Sequence, residues 1–335
     1  MMKHKWFALM AAVFLVTSVN ADECNTCDPC ESTCDMCDPC GEWTVELDWL
    51  YWHVRRCELI YATAGQADAL KIKDIDLSYD SGFRIGAFKE CGDAFFGIRY
   101  TGFCYEDSQT VIDDNVRAAR ISEVTISDLK IAKSRYKLDL DVLEIEASYT
   151  LLDECESSAH AFGGFRYASI DQSLSTLYGE NKNDISGSGE GNDIELVSEK
   201  NNMDGYGLYL GGAGSFTFCD CFNFYGSMSI GSMIAEFDRS YLQFTIFEDN
   251  KAISDQWKDD CYKLVSNLDF AVGVGYDLCD FCCVDWSVTL GYEFHHWMNT
   301  LDFIVAEADG DEFKVDRHSE DLGFDGLFLR LTGTF

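Results

Sequence analysis

From residue 43 onward, apolar and polar residues alternate with a period of two, the spacing of strands with two unlike faces. Trp43, Val45, Leu47, Trp49 and Tyr51 interleave with Thr44, Glu46, Asp48 and Leu50. Phe83, Ile85 and Ala87 interleave with Arg84 and Gly86, and Phe96, Ile98 and Tyr100 with Gly97, Arg99 and Thr101. The pattern recurs at Leu143–Leu151, at Phe165 and Tyr167, from Leu208 to Phe216, from Phe222 to Ile230, from Leu268 to Tyr276 and from Val284 to Phe294. It ends on Leu327, Leu329, Leu331, Gly333 and Phe335 against Arg330, Thr332 and Thr334. About ten segments result, each near the length that crosses a bilayer at a tilt. One stretch changes phase. Tyr136, Leu138, Leu140 and Val142 are even-numbered, whereas Leu143 onward is odd. A bulge near Val142, or a strand that starts at Leu143, accounts for this.

The connections alternate in length. Glu90–Ala94, Asp153–Ala159, Cys219–Cys221 and Leu278–Cys283 are short. Arg55–Asp80, Glu106–Arg135, Gln172–Asn202, Asp238–Asp260 and Met298–Glu320 are long and polar. Short turns on one side and long loops on the other are the arrangement of bacterial outer-membrane barrels. A soluble β-sandwich also alternates its faces but does not sort its loops by length. The expected fold is therefore all-β: a transmembrane antiparallel β-barrel of about ten strands, or twelve if Leu70–Ser78 or Tyr241–Ile246 add a pair. The half-apolar last strand fits this reading, with Phe335 as the assembly signal offered to the barrel-assembly machinery and outer-membrane lipid as the solvent. Soluble domains usually end on loose polar residues instead.

The N-terminus predicts export. Lys3 and Lys5 precede an apolar run from Trp6 to Val16, and Val19-Asn20-Ala21 is a small-residue exit. Residues 1–21 read as a signal peptide, too short to span a bilayer. Residues 22–41 form a Cys-rich periplasmic tail in which Cys24, Cys27 and Cys30 are echoed by Cys34, Cys37 and Cys40. The tail has almost no apolar residues and cannot build a core. Residues 42–335 are the barrel.

Composition sharpens this picture. Aromatic residues make up 14% of the chain, as interfacial girdles require. The only prolines, Pro29 and Pro39, precede the barrel, which suits strands paired on both edges. A net charge of −34 excludes nucleic acid as a partner and points to solvated acidic loops or an acidic pore.

The polar faces carry the candidate chemistry. Phe96-Gly97-Ile98-Arg99-Tyr100 is echoed by Gly163-Gly164-Phe165-Arg166-Tyr167, and both arginines fall on the polar side. With Arg84 and Arg330 they face the expected lumen, together with Glu46, Asp48, Glu144, Glu146, Asp269, Asp285 and Glu293. Opposed rows of arginine and carboxylate make a hydrated, charge-lined path for passive diffusion of small solutes. The alternative is a closed lumen, in which the charges pair and fill a narrow structural or adhesive barrel.

Sixteen cysteines call for a second explanation. The six of the tail precede the first strand, and Cys91, Cys155, Cys219, Cys221, Cys279, Cys282 and Cys283 lie in or beside the short turns. All thirteen thus face the expected periplasm. Only Cys57, Cys104 and Cys261 lie toward the long loops. In an oxidising compartment disulfides are the default, and their placement points to bonds with other Cys-rich envelope proteins or with further copies of the chain. Zinc is the rival for the tail spacing, but no histidine lies nearby. A redox C-x-x-C lacks its βαβ context. His53, His295 and His296 sit near strand ends, where interface positions explain them better than catalysis does. Glu307–Glu312 lacks calcium-loop spacing. No enzyme activity, metal or cofactor is expected.

The Val45-Glu46-Leu47-Asp48-Trp49-Leu50-Tyr51-Trp52 opening, Gly82-Phe83-Arg84-Ile85-Gly86, Gly97-Ile98-Arg99-Tyr100, Gly291-Tyr292-Glu293-Phe294 and the strand from Gly326 resemble the Legionella-type pore-forming major outer membrane proteins. Relatives of that family occur in chlamydia-like bacteria. The resemblance covers about Glu42 to Phe335 and implies a porin-like outer-membrane barrel without catalytic residues. The tail lies outside it, and resembles chlamydial envelopes only in the habit of cysteine cross-linking.

Overall fold

The computed structural model describes residues 42–56, 59–65, 70–119, 129–154, 157–180, 194–219, 222–247, 250–281, 284–309 and 312–335. The chain divides into Met1–Asp38 and Pro39–Phe335. The predicted leader and the tail cysteines lie outside the described residues. Among those residues no helix is long and apolar enough to cross a membrane.

Thirteen strands follow in order: β1 Trp43–Arg56, β2 Ile60–Ala64, β3 Lys71–Asp74, β4 Tyr79–Cys91, β5 Ala94–Ile112, β6 Val116–Ala118, β7 Ile131–Glu154, β8 Ser157–Gly179, β9 Ile194–Cys219, β10 Phe222–Phe247, β11 Asn250–Phe281, β12 Val284–Asp309 and β13 Glu312–Thr334. Ten of them close an antiparallel barrel in the order β1-β13-β12-β11-β10-β9-β8-β7-β5-β4. The closing pair runs from Thr44 opposite Thr334 to Arg56 opposite Leu322. Beyond it, the backbones of Trp43 and Phe335 exchange hydrogen bonds of 2.8 and 2.9 Å. Across the lower part of the barrel closure leaves no strand edge unpaired among the described residues, as a bilayer requires.

The short turns are as expected. Gly92, at φ 65, supplies the left-handed residue of the β4–β5 hairpin. The long polar connections are not all loops. Asp238–Asp260 and Met298–Glu320 are largely the outer ends of β10–β11 and β12–β13, paired out to Phe247 opposite Asn250 and Asp309 opposite Glu312. Tyr241–Ile246 therefore prolongs β10 and adds no strand to the wall. Leu70–Ser78 contributes β3, which pairs with β2 in a separate β3-β2-β6 sheet. The count stays at ten.

No bulge forms at Val142, and the strand does not begin at Leu143. Strand β7 runs unbroken past both, in regular pairing with β5 and β8 there. What switches is the environment. Tyr136, Leu138, Leu140 and Val142 point inward and are buried. The same inward face continues with Glu144 and Glu146, while Leu143, Ile145, Tyr149 and Leu151 are exposed on the outer wall. Outward neighbours on the loop side of Leu143 are Lys137, Asp139 and Asp141. The barrel therefore has two zones. The zone nearer the short turns is apolar outside and polar inside, as lipid requires. The zone nearer the long connections is polar outside and apolar inside, as water requires.

Tyrosines mark the boundary between the zones. The hydroxyls of Tyr100, Tyr167, Tyr262 and Tyr292 donate to Asp141, Asp204, Glu236 and Asp325, each on an adjacent strand. An aromatic ring with an apolar body and a polar tip suits that depth. Above it, Leu50, Val54, Leu138, Ile170, Phe237 and Phe324 pack into one buried core that also takes in Tyr61 and Ala62 of the small sheet. Tyr178 pins that sheet by donating to the Tyr61 carbonyl at 2.6 Å.

Candidate functional site: a charged belt in the lumen

Inside the lipid-facing zone the inward positions carry charge, and the strands bring these side chains into one connected belt. Arg84 on β4 contacts Asp48 on β1 and Glu293 on β12, both at 3.0 Å. Arg330 on β13 contacts Asp48 at 2.8 Å and Glu46 at 3.3 Å. Arg99 on β5 lies 3.4 Å from Glu46 and 3.6 Å from both Glu144 and Glu146. Arg166 on β8 donates to Glu144 on β7 at 2.8 Å and reaches Asp269 on β11, also at 2.8 Å. His295 on β12 completes the circuit, 2.8 Å from Asp269 and 3.4 Å from Glu293.

Several of these contacts are chords across the lumen. Arg84 to Glu293 passes over β1 and β13, and Arg166 to Asp269 passes over β9 and β10. The interior of a ten-stranded barrel is narrow enough for one long side chain to cross such a chord. The charges interleave and do not form the opposed rows expected from the alternation. Asp285 stands apart, exposed at the turn end of β12 opposite Thr334.

Neutral groups complete the belt. Trp52 donates to Glu293 at 2.8 Å, Tyr209 to Glu146 at 2.9 Å, Ser229 to Asp269 at 2.9 Å, and Arg84 to Thr101 at 3.1 Å. The Arg166 guanidinium lies 4.6 Å from the Tyr209 ring centre. The sequence reading missed these partners, and it placed His295 at the interface. His295 shares the odd, inward phase of Glu293, which was the available signal. His296 is the outward neighbour, stacked on Phe294 and 3.2 Å from Asp321.

The belt encloses a cavity of about 300 Å³. Its wall runs from Thr44, Phe95 and Ser148 near the short turns to a ceiling that includes Trp52, Leu140, Trp297 and Phe324.

Of the cysteines, Cys91 is exposed at the β4–β5 turn, and Cys219 and Cys279 belong to the turn ends of β9 and β11. Cys104 is exposed on the outer wall above Tyr100. Cys261 accepts from Arg239 at 2.9 Å in the upper barrel. Cys57, Cys155, Cys221, Cys282, Cys283 and the tail cysteines lie outside the described residues.

A closed barrel with an apolar outer band, interfacial tyrosines and a polar interior is a bacterial outer-membrane β-barrel. The chain belongs to the family described as Legionella pneumophila major outer membrane protein precursor, whose model matches residues 37–334. It is thus a protein of the outer membrane with lipid around its wall. No curated protein matches the chain. Among solved structures it is similar to the outer membrane protease OmpT of Escherichia coli at 9% identity and a TM-score of 0.47, over 88% of this chain and 97% of that one. It is also similar to the toluene transporter TodX of Pseudomonas putida at 8% identity and 0.30, over 89% and 90%. The attachment invasion locus protein Ail of Yersinia pestis gives 9% identity and 0.24, over 88% and 99%.

Proposed function

We propose that the protein is a porin-like channel for passive diffusion of small solutes, without catalytic activity. One observation carries this reading. The charged belt lies at the depth where the outer wall faces lipid, and burying so many ions there is costly. Apolar side chains of similar volume would fill a purely structural barrel at lower cost. Charged groups at membrane depth usually line a water-filled path. In the state described, packed apolar residues close that path above the belt, so brief openings are expected in place of steady conductance. Hydrophobic constrictions of this kind gate by dewetting.

A closed-lumen structural or adhesive barrel is the second reading. The specific observation in its favour is the same apolar packing, with Leu50, Val54, Leu138, Ile170 and Phe324 wholly buried inside the wall. Planar-bilayer recording of folded full-length protein separates the two. Discrete, salt-dependent current steps support the channel. Their absence over a range of voltages leaves the closed barrel.

We further propose that the protein is tied into the envelope. Residues 1–21 are a leader and residues 22–41 a periplasmic tail. The barrel-assembly machinery reads the terminal strand. The periplasmic cysteines reinforce the envelope by bonding to other Cys-rich proteins or to further copies of the chain.

A further inference from the structure

The unmet polar atoms of the lumen cavity are of one kind. Nε of Arg99, Nη1 of Arg166 and Nε1 of Trp297 are buried without a hydrogen-bond partner, and all three residues line the cavity. Arg166 and Trp297 are each more than nine-tenths buried. His295 Nε2 has no hydrogen bond either, but it faces Glu293 at 3.4 Å. By contrast, no fully buried carboxylate oxygen of the belt lacks a hydrogen-bond partner among the described residues. Leaving a buried donor unmet costs about 1–3 kcal/mol, more for a charged group. The cavity therefore calls for acceptor oxygens.

Charge narrows the choice. The belt holds six carboxylates, Glu46, Asp48, Glu144, Glu146, Asp269 and Glu293, against the four arginines Arg84, Arg99, Arg166 and Arg330 and the single imidazole of His295, which leaves a small negative surplus. That surplus repels an anion, and donors that seek acceptors do not suit a cation. A neutral hydroxylated solute satisfies both conditions. Its oxygens accept from the guanidiniums and the indole, and its own hydroxyls donate to the surrounding carboxylates. Phe95 and Phe162 line the same cavity and offer flat apolar faces to the carbon face of a ring. A volume of about 300 Å³ is at the lower end for small-molecule sites and limits the occupant to about one ring.

We infer that the belt is a binding site for a neutral sugar of about one ring. The inference deepens the channel reading and rests on it for the solute's route through the barrel. Isothermal titration of folded full-length protein in micelles, with D-glucose and with sodium acetate, tests it alongside bilayer recording. Glucose should bind reversibly and acetate should not. Phe162→Leu keeps an apolar side chain but removes the flat face, and Trp297→Phe keeps the packing but removes one unmet donor. Each should weaken glucose binding by about two- to tenfold while heat-modifiable migration stays normal. Acetate binding as well as glucose, no glucose binding at all, or wild-type affinity in both variants overturns the site. Glucose binding without any current leaves the site standing and removes the channel. Current without glucose binding does the reverse.

Discussion

Arg84 and Glu293 meet at 3.0 Å across the lumen although two strands separate them in the wall. Both are buried, so neither charge can turn to bulk water when its partner is lost. Removing one partner of a buried pair typically costs about 3–5 kcal/mol, whereas replacing both with apolar residues is often neutral. Glu293→Gln should therefore lower the urea midpoint of unfolding markedly, while the double variant Arg84→Met, Glu293→Leu should recover most of the loss. Equal midpoints for wild type and Glu293→Gln would show that the chord adds no stability.

Selectivity should follow the belt. If Arg99 and Arg166 line the conducting path against Glu46, Glu144 and Asp269, replacing both arginines with alanine leaves a more negative lumen. Reversal potentials in a potassium chloride gradient should shift toward stronger cation preference. An unchanged potential would place both arginines outside the path.

Closure depends on the last residues. Phe335 completes the ladder with Trp43, and deleting Leu327–Phe335 strips most of the pairing between β1 and β13. Each backbone group left unpaired in hydrocarbon costs several kcal/mol. The truncated chain should fail to assemble and should lose heat-modifiable migration; a normal gel shift would contradict the need for closure.

The surroundings of Cys104 should make its thiol slow to react. Cys104 lies above the lipid-facing band, where partial burial and then the Asp139 carboxylate beside it push its thiol up to about 11. Only the thiolate alkylates. Its alkylation rate, followed by peptide mass spectrometry, should rise about tenfold per pH unit through the range where an unperturbed thiol, near 8.5, has already levelled off. A plateau by pH 9 would mean that the surroundings do not hold the proton.

The cysteines toward the periplasm should link molecules. Non-reducing gels of isolated envelopes should show ladders that collapse to monomer on reduction, and deleting Cys24–Cys40 should weaken them. A monomer band without reductant would make the tail a self-contained unit.

The period-two alternation made the barrel legible, along with its strand number and the inward side of every belt residue; Asp285 shares that inward phase but lies at the turn end of β12, away from the belt. Three features were not legible, each for a physical reason. The shift at Val142 marks a change of solvent, and local alternation cannot distinguish that from a bulge. Asp238–Asp260 is polar enough to look like a loop because its strands stand in water on their outer face. The pairing of His295 with Asp269 depends on the register between β11 and β12, which local alternation does not encode.

The switch at Val142 and Leu143 also fixes how deeply the molecule floats. On β7, β8, β9 and β10 the outer face turns from apolar to polar within one inward-outward repeat, at Leu143 and Asp141, Tyr167 and Ser169, Tyr206 and Asp204, and Ile234 and Glu236. Sinking by that one step would push Asp141, Asp204 and Glu236 toward hydrocarbon, each at a modest cost near the interface. Rising by the same step would bring Leu143, Ile234 and the rings of Tyr167 and Tyr206 into water. The wall thus carries its own waterline, and the bilayer has to adapt to the barrel.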